Sequence, residues 1–248
     1  MMRLMNTPNK KTDGVRLQKY LSEQGVCSRR EGEDLIRNRR VKLNGEVATL
    51  GDKVKPGDVV LVNGNLKLTA GKPKRVMLAF HKPQGVETTF RSFDGGRSLQ
   101  DFDFGDVRVF PVGRLDKASR GLLLMTNDGD LANTLMHPKY GHEKEYIVTT
   151  NRDIKPEDLK QMEQGIKIET GMTYPCKTEQ VFQKAFKIIL KEGKKRQIRR
   201  MSQALGYKVL DLLRVRFENV KLGELKPGKY RHLTETEIAG ICKRKKDK

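Results

Sequence analysis

Residues 112–129 of this 248-residue chain, VGRLDKASRGLLLMTNDG, hold the side chains best spaced for chemistry. Arg114 and Asp116 stand two apart, and Gly113, Ser119 and Gly121 bracket a loop that enters the apolar run 122–125. Such a run reads as a buried strand, which anchors the loop before it to a core. A carboxylate on an anchored loop beside an arginine stays ionised near neutral pH. It can then stabilise or add to an electron-poor carbon. By spacing alone, a surface salt bridge and a turn account for these residues better.

A second segment, residues 191–200, carries Lys191, Lys194, Lys195, Arg196, Arg199 and Arg200 against one acid, Glu192. Gln197, Ile198 and Met201 interleave, so it reads as the start of an amphipathic helix whose N-terminus faces phosphate. The whole chain has the same bias: 51 Lys and Arg against 31 Asp and Glu give a formal charge of +20. Nucleic acid is the expected partner, because each neutralised phosphate releases condensed counterions. A membrane partner is not expected, since there is no basic amphipathic anchor, spanning apolar run or secretory leader. Cys27, Cys176 and Cys242 lie far apart and the four histidines lack ligand spacing, so neither metal nor disulfide is expected. A reduced, cytoplasmic setting fits. With no long apolar heptads, a monomer is expected.

These residues need elements to position them. Val15, Leu17, Tyr20 and Leu21 recur at helical spacing. Ser28 and Glu31 have the capping-box spacing ahead of a second helix. Two extended pieces, 41–43 and 46–48, flank Asn44-Gly45, a hairpin signal, and a turn at 55–58 leads into a third, 59–62. Residues 16–60 are similar to an S4 domain, an RNA-binding module. The likeness rests on the helix ending at Gly25, the Ser28-Arg29-Arg30 helix start, the Val41-x-Leu43-Asn44-Gly45 hairpin and the Pro56-Gly57-Asp58 turn. Arg29, Arg30, Arg37, Arg39 and Arg40 put guanidiniums on or beside one helix, suited to bidentate phosphate contacts.

The expected organisation is a basic tail (1–13), an S4-like domain (14–64), a linker (65–75), a second domain (76–242) and a basic tail (243–248). In the second domain, strand-like pieces 76–80, 145–149 and 186–190 mix with helix-like pieces 129–136, 155–164 and 196–205. That mixture predicts an α+β fold rather than a doubly wound sheet. Phe80 and Phe90 read as core residues rather than stacking platforms, and His81 and His137, with no partners at a useful spacing, as structural.

The segment GRLDKASRGLLLMTNDG resembles the signature of the pseudouridine synthases of the small-subunit-rRNA-synthase-like family, nearly residue for residue. Residues 80–89 (FHKPQGVETT) resemble the family's first motif, and Gly96-Arg97-Ser98-Leu99 follows at the usual distance. Residues 142–146 (HEKEY) match its active-site tyrosine segment, and residues 192–201 (EGKKRQIRRM) its third motif. The HEKEY wording is closest to the bacterial F branch, which modifies large-subunit ribosomal RNA. An S4-like domain ahead of the core is also the family's arrangement.

The resemblance implies a mixed, largely antiparallel sheet and conversion of a uridine to pseudouridine in ribosomal RNA, most specifically 23S rRNA or a large-subunit precursor. It extends the expected substrates to a tRNA and implies no cofactor. Asp116 would be the catalytic carboxylate, at C1′ or by deprotonating C2′. Tyr146 would stack on the base and handle the C5 proton. Arg199 would pair with Asp116, and Arg114 would hold the flipped nucleotide out of its helix. Lys194, Lys195, Arg196 and Arg200 join Arg29, Arg30, Arg37 and Arg40 as expected RNA contacts. A second possibility is a non-catalytic RNA-binding assembly factor, which the intact set of Asp116, Tyr146 and Arg199 disfavours. A methyltransferase would need a G-x-G-x-x-G after a strand, and none is present.

Overall fold

The computed structural model describes residues 14–69, 74–91 and 95–243. Residues 1–13 and 244–248 of the expected tails, and 70–73 of the expected linker, lie outside the described residues. The chain divides into two compact units, Met1–Lys74 and Arg75–Lys248.

The smaller unit runs β1 (Val15–Arg16), α1 (Leu17–Glu23), α2 (Arg29–Arg37), β2 (Val41–Leu43), β3 (Glu46–Val47), β4 (Lys53–Val54), β5 (Val59–Val62) and β6 (Leu66–Thr69). Ser28 caps α2: its Oγ accepts from Glu31 N at 3.2 Å, while Glu31 Oε2 accepts from Ser28 N at 2.7 Å. Asn44 and Gly45 both take positive φ, as a tight hairpin between β2 and β3 requires. Leu17, Leu21, Val41 and Val60 are fully buried in one cluster beneath the helices and the antiparallel sheet β3-β2-β5-β6. Two expectations change. Val15 leaves the helix and pairs with Val54 in β1–β4, because a β-branched residue finds an extended partner there. The linker does not begin at residue 65: Asn63 and Gly64 turn at positive φ and Leu66–Thr69 returns along β5.

The larger unit runs β7 (Met77–Lys82), β8 (Phe110–Pro111), β9 (Arg120–Thr126), α3 (Gly129–Met136), β10 (Lys144–Thr150), α4 (Pro156–Gln164), β11 (Lys167–Ile168) and β12 (Gly171–Met172). It continues with β13 (Lys177–Phe182), β14 (Ala185–Leu190), α5 (Gln197–Ala204), β15 (Val209–Phe217), β16 (Val220–Lys221), β17 (Tyr230–His232) and α6 (Glu235–Lys243). Seven strands form a path β13-β14-β10-β15-β9-β7-β17, with β16 beside β15 and β8 beside β9. Its pairs are antiparallel except β9 with β15, which run parallel. This is the mixed, largely antiparallel α+β arrangement.

Strand β9 explains its own sequence. Leu122 and Leu124 pack into a cluster with Leu131 and Leu135 of α3, while Leu123 and Met125 pack with Leu78 and Phe80 of β7. Burial on both faces requires an unbroken apolar run. A separate cluster joins Val148 of β10 and Phe186 and Ile188 of β14 to Leu159 and Met162 of α4 and Ile198 and Met201 of α5. Phe80 is fully buried, edge-on to Phe102 at 5.1 Å and Phe104 at 5.0 Å. Phe90, expected in the core, is 37% exposed and rests edge-on against Phe104, because its loop runs over the surface.

Candidate active site

The loop between β8 and β9 carries Asp116 and is tied down from several sides. Its own turn closes with Ser119 N donating to Asp116 O at 2.9 Å. Thr88 Oγ1 donates to Leu115 O at 2.7 Å and accepts from Leu115 N at 3.2 Å, a reciprocal clamp. Gly85 N donates to Lys117 O at 2.8 Å, and Lys117 Nζ to Glu87 Oε1 at 3.0 Å. The segment after β7 therefore fixes the loop's backbone, which is how FHKPQGVETT and GRLD meet.

On the other side, β15 holds the loop's exit. Arg120 donates to Asp211 through Nε (2.9 Å) and Nη2 (2.8 Å), a bidentate pair. Gly121, at φ +110°, touches β15 so closely that a Cβ would lie 2.3 Å from Arg214 O and 2.7 Å from Arg214 N.

Asp116 opens into a cleft of about 470 Å³ lined also by Arg114, Tyr146, Lys194, Lys195, Arg196 and Ile198. Its carboxylate has no hydrogen bond or ion pair among the described residues, and the charges of Lys82 and Arg199 act on it from a distance. Tyr146 sits half-buried on β10, where the β10–β15 register shifts between Glu145 and Tyr146. Such bulges re-aim a side chain beside a site.

Arg199 is placed differently from the sequence expectation. It does not pair with Asp116. Its Nη2 donates to Ala118 O and its Nη1 to Val209 O, both at 3.0 Å. The guanidinium fork spans these two carbonyls, so Arg199 braces the loop from behind. Burial lowers its pKa and the charge of Arg196 adds to that, while Asp116 and Asp211 oppose.

The expected RNA-binding residues divide. Arg114, Lys195 and Arg196 are exposed and line the cleft. Lys194 lines it too, but its Nζ is held by Met172 O. Arg200 turns to Glu169 at 2.8 Å. In the smaller unit Arg29, Arg30 and Arg40 are exposed, and Arg37 already contacts Asp34 at 3.0 Å and Glu33 at 3.6 Å.

Two buried cations, Lys82 and Arg214, and a half-buried one, Lys144, went unread in the sequence. Lys82 is fully buried and donates to Val86 O at 2.6 Å and Pro83 O at 2.9 Å. Burial lowers its pKa to about 8, against the opposing pull of Asp116 and with the help of Arg214. Lys144 donates to His142 O at 3.0 Å. Its pKa is also lowered to about 8, by burial and then by Arg214, with Glu218 and Glu192 opposing. Arg214 is 3% exposed, and its Nε donates to Leu122 O at 2.6 Å. The available signals were a lysine inside each quoted motif and an arginine within the alternating strand LDLLRVRF. Among the described residues no group of three or more His, Cys, Asp or Glu could hold a metal, and no helix is long and apolar enough to cross a membrane.

Comparison with known proteins identifies the family of the chain. Residues 76–204 match the family model described as RNA pseudouridylate synthase, and residues 15–60 match the S4 domain. The chain is 44% identical over 230 residues to the dual-specificity RNA pseudouridine synthase RluF of Escherichia coli (strain K12), covering 92% of this chain and 79% of that protein. It is 40% identical over 232 residues to the ribosomal large subunit pseudouridine synthase B of Bacillus subtilis (strain 168), covering 90% and 93%. A crystal structure of a pseudouridylate synthase superposes with a TM-score of 0.67 at 30% identity, covering 92% of this chain and all of that one.

Proposed function

The chain belongs to the RNA pseudouridylate synthase family, and on that footing we propose that it isomerises one uridine of large-subunit ribosomal RNA, with a tRNA as second substrate. The observation that carries this reading is Asp116, an unengaged carboxylate on a clamped loop, facing Tyr146 across a cleft rimmed with Arg114, Lys195 and Arg196. The name of the Bacillus subtilis relative favours ribosomal RNA of the large subunit, and the dual specificity named for the Escherichia coli relative favours a second RNA.

Making pseudouridine requires breaking the N1–C1′ bond, turning the uracil and rejoining it through C5. Asp116 acts on the sugar, either adding to C1′ as it becomes electron-poor or removing the C2′ proton. Tyr146 packs against the flipped base. Arg114 fills the place the base leaves, since a stacked base must be extruded at a cost of a few kcal/mol. Arg199 is a positioning residue that holds Ala118, two residues beyond Asp116. Arg29, Arg30 and Arg40 of the smaller unit, with Arg37, take RNA phosphates. The protein works as a cytoplasmic monomer.

The test uses ribosomal RNA tritiated at uracil C5. The wild-type protein should release label, and Asp116→Asn should bind equally and release none. Equal release from Asp116→Asn, or none from the wild type, overturns the proposal. Arg29→Glu with Arg30→Glu should weaken binding and flatten its salt dependence by about 0.9 in log–log slope for each phosphate left without its cation. An unchanged slope removes the smaller unit from RNA recognition.

A further inference from the structure

A second cavity, of about 180 Å³, continues from the cleft past Gly113, Arg114, Tyr146 and Glu192, which border both. Val112, Leu135 and Phe217 give it apolar walls, and Lys144 and Arg214 line it. Tyr146 and Arg214 face each other across the β10–β15 pair, and Lys144 lies two residues before Tyr146, on the same side of its strand. Arg214 Nη2 is sealed from solvent and has no hydrogen-bond partner among the described residues. Leaving a guanidinium nitrogen unmatched and a lysine in an apolar wall is costly unless something negative arrives.

The carboxylates near Lys144 are already engaged. Glu218 accepts from Glu143 N (2.7 Å) and His142 Nδ1 (3.1 Å). Glu192 accepts from Tyr174 N and Gln197 Nε2, both at 2.8 Å. We propose that Lys144 and Arg214 form an anion pocket for the uracil set free when the glycosidic bond breaks. The inference rests on the reading that the target uracil lies against Tyr146.

The chemistry balances without any added reagent. The N1–C1′ bond breaks with its electron pair passing to N1, giving a uracil monoanion whose charge spreads over N1, O2 and O4. Cations fixed beforehand in a poorly solvated pocket stabilise that charge as it develops, with no reorganisation. The anion turns, its C5 bonds to C1′, and the proton lost from C5 ends on N1. The same pocket serves whether Asp116 adds to C1′ or removes the C2′ proton, since both routes expel uracil as an anion.

A leaving-group comparison tests this. On the ribosomal RNA fragment that the wild type modifies, the target uridine is replaced by 6-azauridine, whose ring nitrogen stabilises the free base anion while C5–H is kept. Lys144→Met should slow single-turnover conversion of uridine about 100-fold, at unchanged RNA affinity. It should slow the 6-azauridine substrate by less than about 10-fold, because that anion needs less help. Arg214→Lys, checked for folding by thermal melting, should show the same asymmetry. Equal slowing of both substrates, or a loss in affinity alone, overturns the anion pocket. Failure of the wild type to convert any uridine instead removes the functional reading beneath it.

Discussion

Replacing Gly121 with alanine attacks the join between the Asp116 loop and the sheet. At φ +110° an L-residue sits outside its allowed regions, at a cost of roughly 1–3 kcal/mol. The new methyl would also lie 2.3 Å from Arg214 O and 2.9 Å from Leu213 Cδ1, so β15 must retreat by about 1 Å to reach ordinary contact. That retreat stretches the 2.6 Å bond from Arg214 Nε to Leu122 O, and leaving those buried groups unmatched costs about 1–3 kcal/mol more. The expected destabilisation is therefore about 2–6 kcal/mol, a large share of a typical domain's stability. Urea unfolding should show a lower midpoint at unchanged slope. The fraction still folded at low temperature should turn over about 100-fold more slowly, because a displacement of about 1 Å at a catalytic group has that scale of effect. An alanine variant within about 0.5 kcal/mol of wild type and fully active would refute the claim that this close approach sets the loop.

Other consequences are open to measurement. A double-mutant cycle on Arg120→Met and Asp211→Asn should return a coupling of about 1 kcal/mol in urea unfolding, as for a half-exposed bidentate pair; a zero coupling argues against the brace. Lys82, facing Asp116 and Arg214, and Lys144, facing Arg214, Glu218 and Glu192, both lose their charge as pH rises through about 8. Single-turnover rate should fall across that range. Their folded pKa values lie below the lysine value of 10.5, so the unfolded chain binds more protons from about pH 8 to 10.5, and these two groups add stability as pH rises there. Activity should thus decline before the fold does, and a rate that stays flat from pH 7 to 10 contradicts the role given to Lys144. Ser28→Ala, which removes half of the capping box on α2, should cost about 1 kcal/mol in the smaller unit, read from its own unfolding transition.

Legibility from sequence followed how local the causes were. The run 122–125 announced β9 because that strand is buried on both faces, and α3, α4 and α5 lie within a residue of their expected bounds because periodicity and caps are local signals. Strand β15 went unread, although it stands at the centre of the sheet. It carries Asp211, Arg214 and Arg216, whose partners Arg120, Leu122 O and Glu145 come from strands far away in the chain, so its charges looked like those of a surface loop. The same reason hid the site's rear. Asp116, Arg114 and Tyr146 stand in motifs and do share a cleft. Whether a lysine such as Lys82 is exposed or buried is decided by the residues packed on it, and Arg199 found carbonyls, not the expected carboxylate, for the same tertiary reason.

The parallel seam between β9 and β15 also governs when the enzyme comes into being. Its register consists of two residue pairs, Leu213 with Arg120 and Arg214 with Gly121, joining partners more than 90 positions apart in the chain. The hairpin-like pairs β13–β14 and β15–β16 close over short loops, whereas loop-closure entropy makes the seam costly to form until both sides are built. We therefore expect the seam to be the late step of folding, with the amides of residues 120–122 gaining protection last in pulsed hydrogen exchange. Early protection there would contradict this order. During synthesis, a nascent chain that has emerged only as far as α5 already contains Asp116, Tyr146 and Arg199 yet lacks the strand against which Gly121 must seat. Catalytic competence then waits until β15 has been made, and a nascent chain that stops short of it is not expected to modify RNA.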